Sequence, residues 1–139
     1  MTYDLDRFVS AQADTYEDAL AELRRGRKVS HWMWFVFPQI AGLARSDMAR
    51  FYAIRDWGEA RAFLAHPVLG SRLNEATEAI LAAPGSAEAI LGGVDAMKLR
   101  SSMTLFAAVA DDGDPFIAAL DRFFGGARDE ATVALLDRG

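Results

Sequence analysis

No stretch of this chain alternates apolar and polar residues with β-branched enrichment over a strand's length; apolar residues recur instead at three- and four-residue spacing between caps and breakers. That pattern confines the chain to helices packed on helices. Leu5 and Phe8 open a first amphipathic stripe, continued by Tyr16, Leu20 and Leu23 until Gly26 stops it, with Asp14 and Glu17 spaced as a capping box for the second half. Ser30 is placed to cap HWMWFVF, which Pro38 ends, because a residue before proline avoids the α region. Ser46 or Asp47, Asp56 (with Glu59), Ser86, Asp95, Asp114 (with Pro115) and Asp129 read as further helix starts, and Pro67 suits the first turn of the helix carrying Leu69, Leu73 and Ile80. Pro84–Gly85, Gly92–Gly93 and Gly125–Gly126 read as stops. The expectation is an all-α, compact globular bundle of about eight to nine short helices, formed by residues 1–139 as one domain around a central aromatic helix.

The chain has 139 residues, of which 52% are hydrophobic and 11% aromatic, enough to build a core without a metal or disulfide staple. It has no cysteine, which excludes disulfides, thiolate zinc sites and cysteine nucleophiles and suits a reducing compartment. The N-terminus MTYDLDRFVS lacks a basic region followed by an apolar stretch, and no apolar run nears the roughly 20 residues that span a bilayer. A cytoplasmic protein without membrane partners is expected. The net charge is −5, and Arg24, Arg25, Arg27 and Lys28 form the one local basic cluster, so a nucleic-acid partner is not expected.

Two segments carry more than a fold requires. The run Trp32 to Phe37 is apolar on every face, as in a buried helix whose aromatics simply pack. Its flanks suggest a site as well. Arg27 and Lys28 precede the helix start, where free amides and the dipole favour an anion, and Ser30 adds a hydroxyl. His31 falls in the first turn, Trp34 follows three residues later on the same face, and Gln39 closes the segment. The second segment is Asp95 to Thr104. Asp95, Lys98 and Ser102 share a face, and Lys98, Arg100, Ser101, Ser102 and Thr104 form the densest polar group on an otherwise apolar helix. The structural explanation is that the hydroxyls bond their own i−4 carbonyls and that Lys98 pairs with Asp95.

Ser102, His31 and Asp95 supply the residue types of a hydrolytic triad, but no Gly-x-Ser-x-Gly elbow accompanies them. Two isolated histidines without His-x-x-x-His spacing argue against a transition-metal site, and His66, before Pro67, reads as a capping or packing group. Neither a P-loop nor a dinucleotide Gly-x-Gly-x-x-Gly is present, and no cofactor is expected.

The segments GRKVSHWMWFVFPQIAGLARS (26–46), EARAFLAHPVLGSRL (59–73) and VDAMKLRSSMTLFAAV (94–109) together resemble the bacterial family known as domain of unknown function 1810, some of whose members carry the label calpastatin. The resemblance runs from Leu5 to Leu136. It implies an all-helical fold and no established activity, and it supplies no catalytic residues to carry over.

The residues themselves point to a pocket between the SHWMWFVFPQ and DAMKLRSSMT segments for a small anionic metabolite, phosphorylated or nucleotide-like. Arg27, Lys28, Ser30, His31, Trp34, Gln39, Lys98, Ser101 and Ser102 are its candidate residues. The alternative is a protein-interaction module with no catalytic activity.

Overall fold

The computed structural model describes residues 3–138. Among these the chain forms ten α-helices and no strand; the one β-bridge, between Ile40 and Ile54, is isolated. The helices are α1 (Asp6–Ala13), α2 (Tyr16–Arg25), α3 (Met33–Val36), α4 (Asp47–Phe51), α5 (Trp57–Ala65), α6 (Leu69–Ala82), α7 (Ala87–Leu91), α8 (Gly93–Val109), α9 (Phe116–Phe124) and α10 (Glu130–Arg138). The first stripe divides at Asp14–Thr15, giving one helix more than the upper expectation. Asp14 ends α1 rather than starting α2, whose N-cap is Thr15, without a side-chain cap bond.

Several starts and stops follow the local chemistry. Ser46, Asp56 and Ser86 accept hydrogen bonds from the amides of Ala49, Glu59 and Ala89, three residues on, and Asp129 accepts from Thr132. Gly26 and Gly125 end α2 and α9 in the left-handed region that a side chain would disfavour. The helix with Leu73 and Ile80 begins at Leu69, two residues after Pro67, and the His66 ring caps it by accepting from the amides of Val68 and Leu69 at 3.1 and 3.2 Å. α9 begins at Phe116 with Pro115 as N-cap, and Asp114 makes no capping bond.

The central helix is α8 rather than the aromatic run. Leu99, Met103, Leu105 and Phe106 of α8 are fully enclosed, and α5, α7, α9 and α10 surround it. A file of rings crosses the core: Phe8 meets Phe63 edge-on at 5.1 Å, Phe63 meets Phe106 at 5.4 Å, and Phe106 meets Phe116 at 5.8 Å, linking α1, α5, α8 and α9. At the α5–α6 turn a Cβ on Gly70 would lie 2.1 Å from the Leu64 carbonyl oxygen, so only glycine permits that approach.

The aromatic run forms a single turn, Met33–Val36, instead of two. Trp32, Met33, Phe35, Val36 and Phe37 are buried, whereas Trp34 is only half-buried and turns towards the surface. The helix cannot begin at Ser30, because the preceding helix claims that residue.

Candidate functional site

Glu22 of α2 sets the shape of the loop leading into α3. Its carboxylate is almost enclosed and accepts from the Val29 amide at 2.7 Å, the Ser30 amide at 2.9 Å, the Trp32 indole N–H at 3.0 Å and the Ser30 hydroxyl. Burial pushes the Glu22 pKa up, but the Ser30 hydroxyl, the Ser30 and Val29 amides and the Trp32 indole outweigh it and hold the carboxyl at about 2. The Lys28 amide donates to the Ile90 carbonyl of α7 at 2.7 Å. Residues 28 to 32 are therefore fixed from both sides, and the Lys28 side chain is directed at the start of α8.

There it meets Asp95. α8 begins at Gly93, with Gly92 at φ 89° as its N-cap, so Asp95 stands inside the first turn and does not cap the helix. Its two oxygens are shared: Lys28 Nζ lies 2.9 Å from Oδ2, and Lys98 Nζ lies 3.4 Å from Oδ1. The side chains are largely withdrawn from solvent, at 9% exposure for Lys28, 18% for Asp95 and 22% for Lys98. Each ammonium also faces an indole, Lys28 over Trp32 at 5.3 Å and Lys98 over Trp34 at 4.9 Å.

Lys28, His31, Trp32, Met33, Trp34, Asp95 and Lys98 line one cavity of about 140 Å³. The structure thus brings four of the candidate residues together: Lys28, His31, Trp34 and Lys98. His31 is exposed at the mouth and lies two residues before α3, not within its first turn.

The other candidates lie elsewhere. Arg27 is exposed and outside the lining. Ser30 is tied to Glu22 and so is not free to meet a ligand. Gln39 lines a separate, smaller cavity with Trp34, Leu43 and Tyr52, and its carbonyl accepts from the Ile54 amide at 2.8 Å. Ser101 turns to the residue that precedes α10, donating to the Met97 carbonyl and to Asp129 at 3.2 Å. Ser102 is fully buried one turn beyond Lys98, and its hydroxyl has no partner among the described residues. The i−4 carbonyl satisfies Ser101 and Thr104 but not Ser102.

Glu22 and Trp32 were not singled out in the sequence. Glu22 offers one signal: it occupies the buried face of α2 marked by Ala19 and Leu23, where an acidic side chain needs donors.

Chemically, the cavity presents two ammonium groups and one carboxylate. Each ammonium has three donors, so Asp95 leaves some of them available to a ligand. Among the described residues no three His, Asp or Glu side chains gather as metal ligands would.

The sequence profile of the family described as "Protein of unknown function (DUF1810)" matches residues 2–136. Among solved structures the chain is similar to the conserved hypothetical protein Rv1873 from Mycobacterium tuberculosis, with 50% identity, a TM-score of 0.95 and coverage of 97% of each chain. No curated protein matches the chain.

Proposed function

We propose that this chain, which belongs to the DUF1810 family of proteins of unknown function, is a binding domain for a small anionic metabolite. The acidic group of the ligand, a carboxylate or phosphate, would sit between the loop before α3 and the first turns of α8. The observation that carries this reading is that Lys28 and Lys98 share Asp95 and line one cavity with His31 and Trp34. Two cations held against aromatic faces in a chain of net charge −5 create a local attraction that the whole surface does not. The cavity, at about 140 Å³, is smaller than the roughly 300–1,000 Å³ of a complete small-molecule site. It suits the acidic group and leaves the rest of the ligand outside the cavity.

A second reading, a protein-interaction module, is favoured by α4. No residue of α4 is buried, and Met48 and Phe51 are among the exposed large hydrophobics. Under either reading the absence of cysteine fits a cytoplasmic protein.

Titration calorimetry of the wild type and Lys98→Glu with inorganic phosphate, adenosine monophosphate and acetate tests the first reading. We expect saturable binding of at least one probe, weakened about tenfold or more in the variant while circular dichroism is unchanged. If none of the three perturbs the backbone resonances of His31, Trp34 or Lys98, the anion site is wrong.

A further inference from the structure

Building on the anion site proposed above, we propose that its preferred ligand is a small carboxylic acid: the carboxylate sits between Lys28 and Lys98, and an apolar body lies across Val29, Val94 and Met97. The observation behind this is where the chain exposes aliphatic surface. Among the described residues the three most exposed large hydrophobics are Val94 at 73%, Val29 at 66% and Met97 at 62%. Each is the sequence neighbour of a cavity residue: Val29 follows Lys28, Val94 precedes Asp95, and Met97 precedes Lys98. Val94 stands one turn before Lys98 on the same face of α8 and three residues before Met97, so these side chains adjoin. The Lys28–Asp95 pair draws Val29 to the same end of the helix. Exposed apolar side chains scattered singly mean little, but three of them next in sequence to residues of one polar cavity offer a surface that something apolar can cover.

Charge selects the acidic group. Counting His31 as neutral, the lining carries two positive charges and one negative, a net +1. Glu22 does not line the cavity, and its oxygens are directed at Val29, Ser30 and Trp32. A carboxylate balances the lining, whereas a phosphate monoester dianion leaves one charge uncompensated beside Asp95, in a place half withdrawn from water.

Size selects a small molecule. A cavity near 140 Å³ takes one compact group and no more, so the body must lie outside. Three aliphatic side chains cover the body of a short acid but fall well short of the roughly 800 Å² that each partner buries in a stable protein interface.

The test is titration of the ¹⁵N-labelled protein at pH 8 with acetate, hexanoate, hexyl phosphate and an acetylated Gly-Gly-Leu peptide with a free C-terminus. Val94→Ser, which leaves both lysines and Asp95 in place, is run in parallel. We expect resonance shifts at Lys28, Val94 and Lys98, with hexanoate bound about fivefold or more tighter than acetate and tighter than hexyl phosphate. In Val94→Ser, hexanoate should fall towards acetate while acetate is unchanged. Hexyl phosphate binding as tightly as hexanoate, or acetate equalling hexanoate, overturns the carboxylic-acid assignment while leaving the anion site standing. The peptide outcompeting hexanoate overturns the small-molecule source in favour of a chain terminus. No shift with any of these, nor with the phosphate and nucleotide probes above, overturns both.

Discussion

The ammonium of Lys28 lies 2.9 Å from Oδ2 of Asp95, joining the loop after α2 to the first turn of α8. Because Lys98 takes the other oxygen, this one carboxylate holds two cations side by side. It both stabilises the junction and moderates the charge of the cavity.

Asp95→Asn separates those two effects. The variant keeps the shape but removes the charge, leaving two partly buried ammonium groups without a counter-ion. We expect a loss of about 1–3 kcal/mol in urea unfolding. Net charge in the lining rises from +1 to +2, so acetate and phosphate should bind more tightly to the variant than to the wild type. If stability and affinity are both unchanged, the shared carboxylate has neither role.

Glu22 gives an expectation for acid stability. Its carboxyl is held at about 2 against an ordinary 4.5 by Ser30, Val29 and Trp32. A depressed folded-state pKa contributes stability that is fully present above the unfolded value and is lost as pH falls through the folded one. The wild type should therefore lose on the order of 3 kcal/mol between pH 4.5 and pH 2 from this group. Glu22→Gln should start less stable at pH 7 and show a shallower decline across that window. Urea midpoints measured at half-unit steps check it, and parallel curves for the two proteins would remove Glu22 from the account.

The helices were legible where the signal is local. Ser46, Asp56, Ser86 and Asp129 bond amides only three residues ahead, and Gly26 and Gly125 act on the turn they end, so sequence spacing contains the answer. Ser30 and Asp95 have the same local appearance, yet neither caps a helix. Glu22 takes the Ser30 hydroxyl from the preceding helix, and Lys28 takes Asp95 from far along the chain. Arg7 and Glu59 form a two-pronged, part-buried pair at 3.1 and 3.2 Å that no spacing rule relates. That the two site segments are neighbours was inferred from their chemistry. Which of their side chains line the cavity was not readable, because an all-apolar run does not say which indole turns outward.

The two indoles should separate in mutation. Trp32 is fully buried, with its N–H on Glu22, so Trp32→Ala should cost about 3–5 kcal/mol and disorder the 28–32 loop. Trp34 is half-buried, and the Lys98 ammonium lies over its ring at 4.9 Å. Trp34→Ala should cost nearer 1–2 kcal/mol yet weaken anion binding, since Lys98 loses the face that positions it. Urea unfolding and the acetate titration measure the two; a larger stability loss for Trp34→Ala than for Trp32→Ala would reverse the assignment.

Ser102 and Thr104 are a matched pair of buried hydroxyls on α8 with opposite expectations. Thr104 Oγ1 donates to the Arg100 carbonyl at 2.8 Å and accepts from the Asp129 amide at 2.9 Å, where α10 begins. Thr104→Val keeps the shape and leaves that amide without its acceptor, so it should cost about 1–3 kcal/mol. Ser102 Oγ is fully enclosed and has no partner among the described residues. An unpaired buried hydroxyl has lost its water hydrogen bonds without replacement, and removing it leaves a gap of only one oxygen atom. Ser102→Ala should therefore be neutral or stabilising, by up to about 1 kcal/mol, in the same unfolding assay. A loss above about 1 kcal/mol would mean instead that the hydroxyl does bond in solution, and the i−4 carbonyl of Lys98 is then its nearest acceptor along the helix.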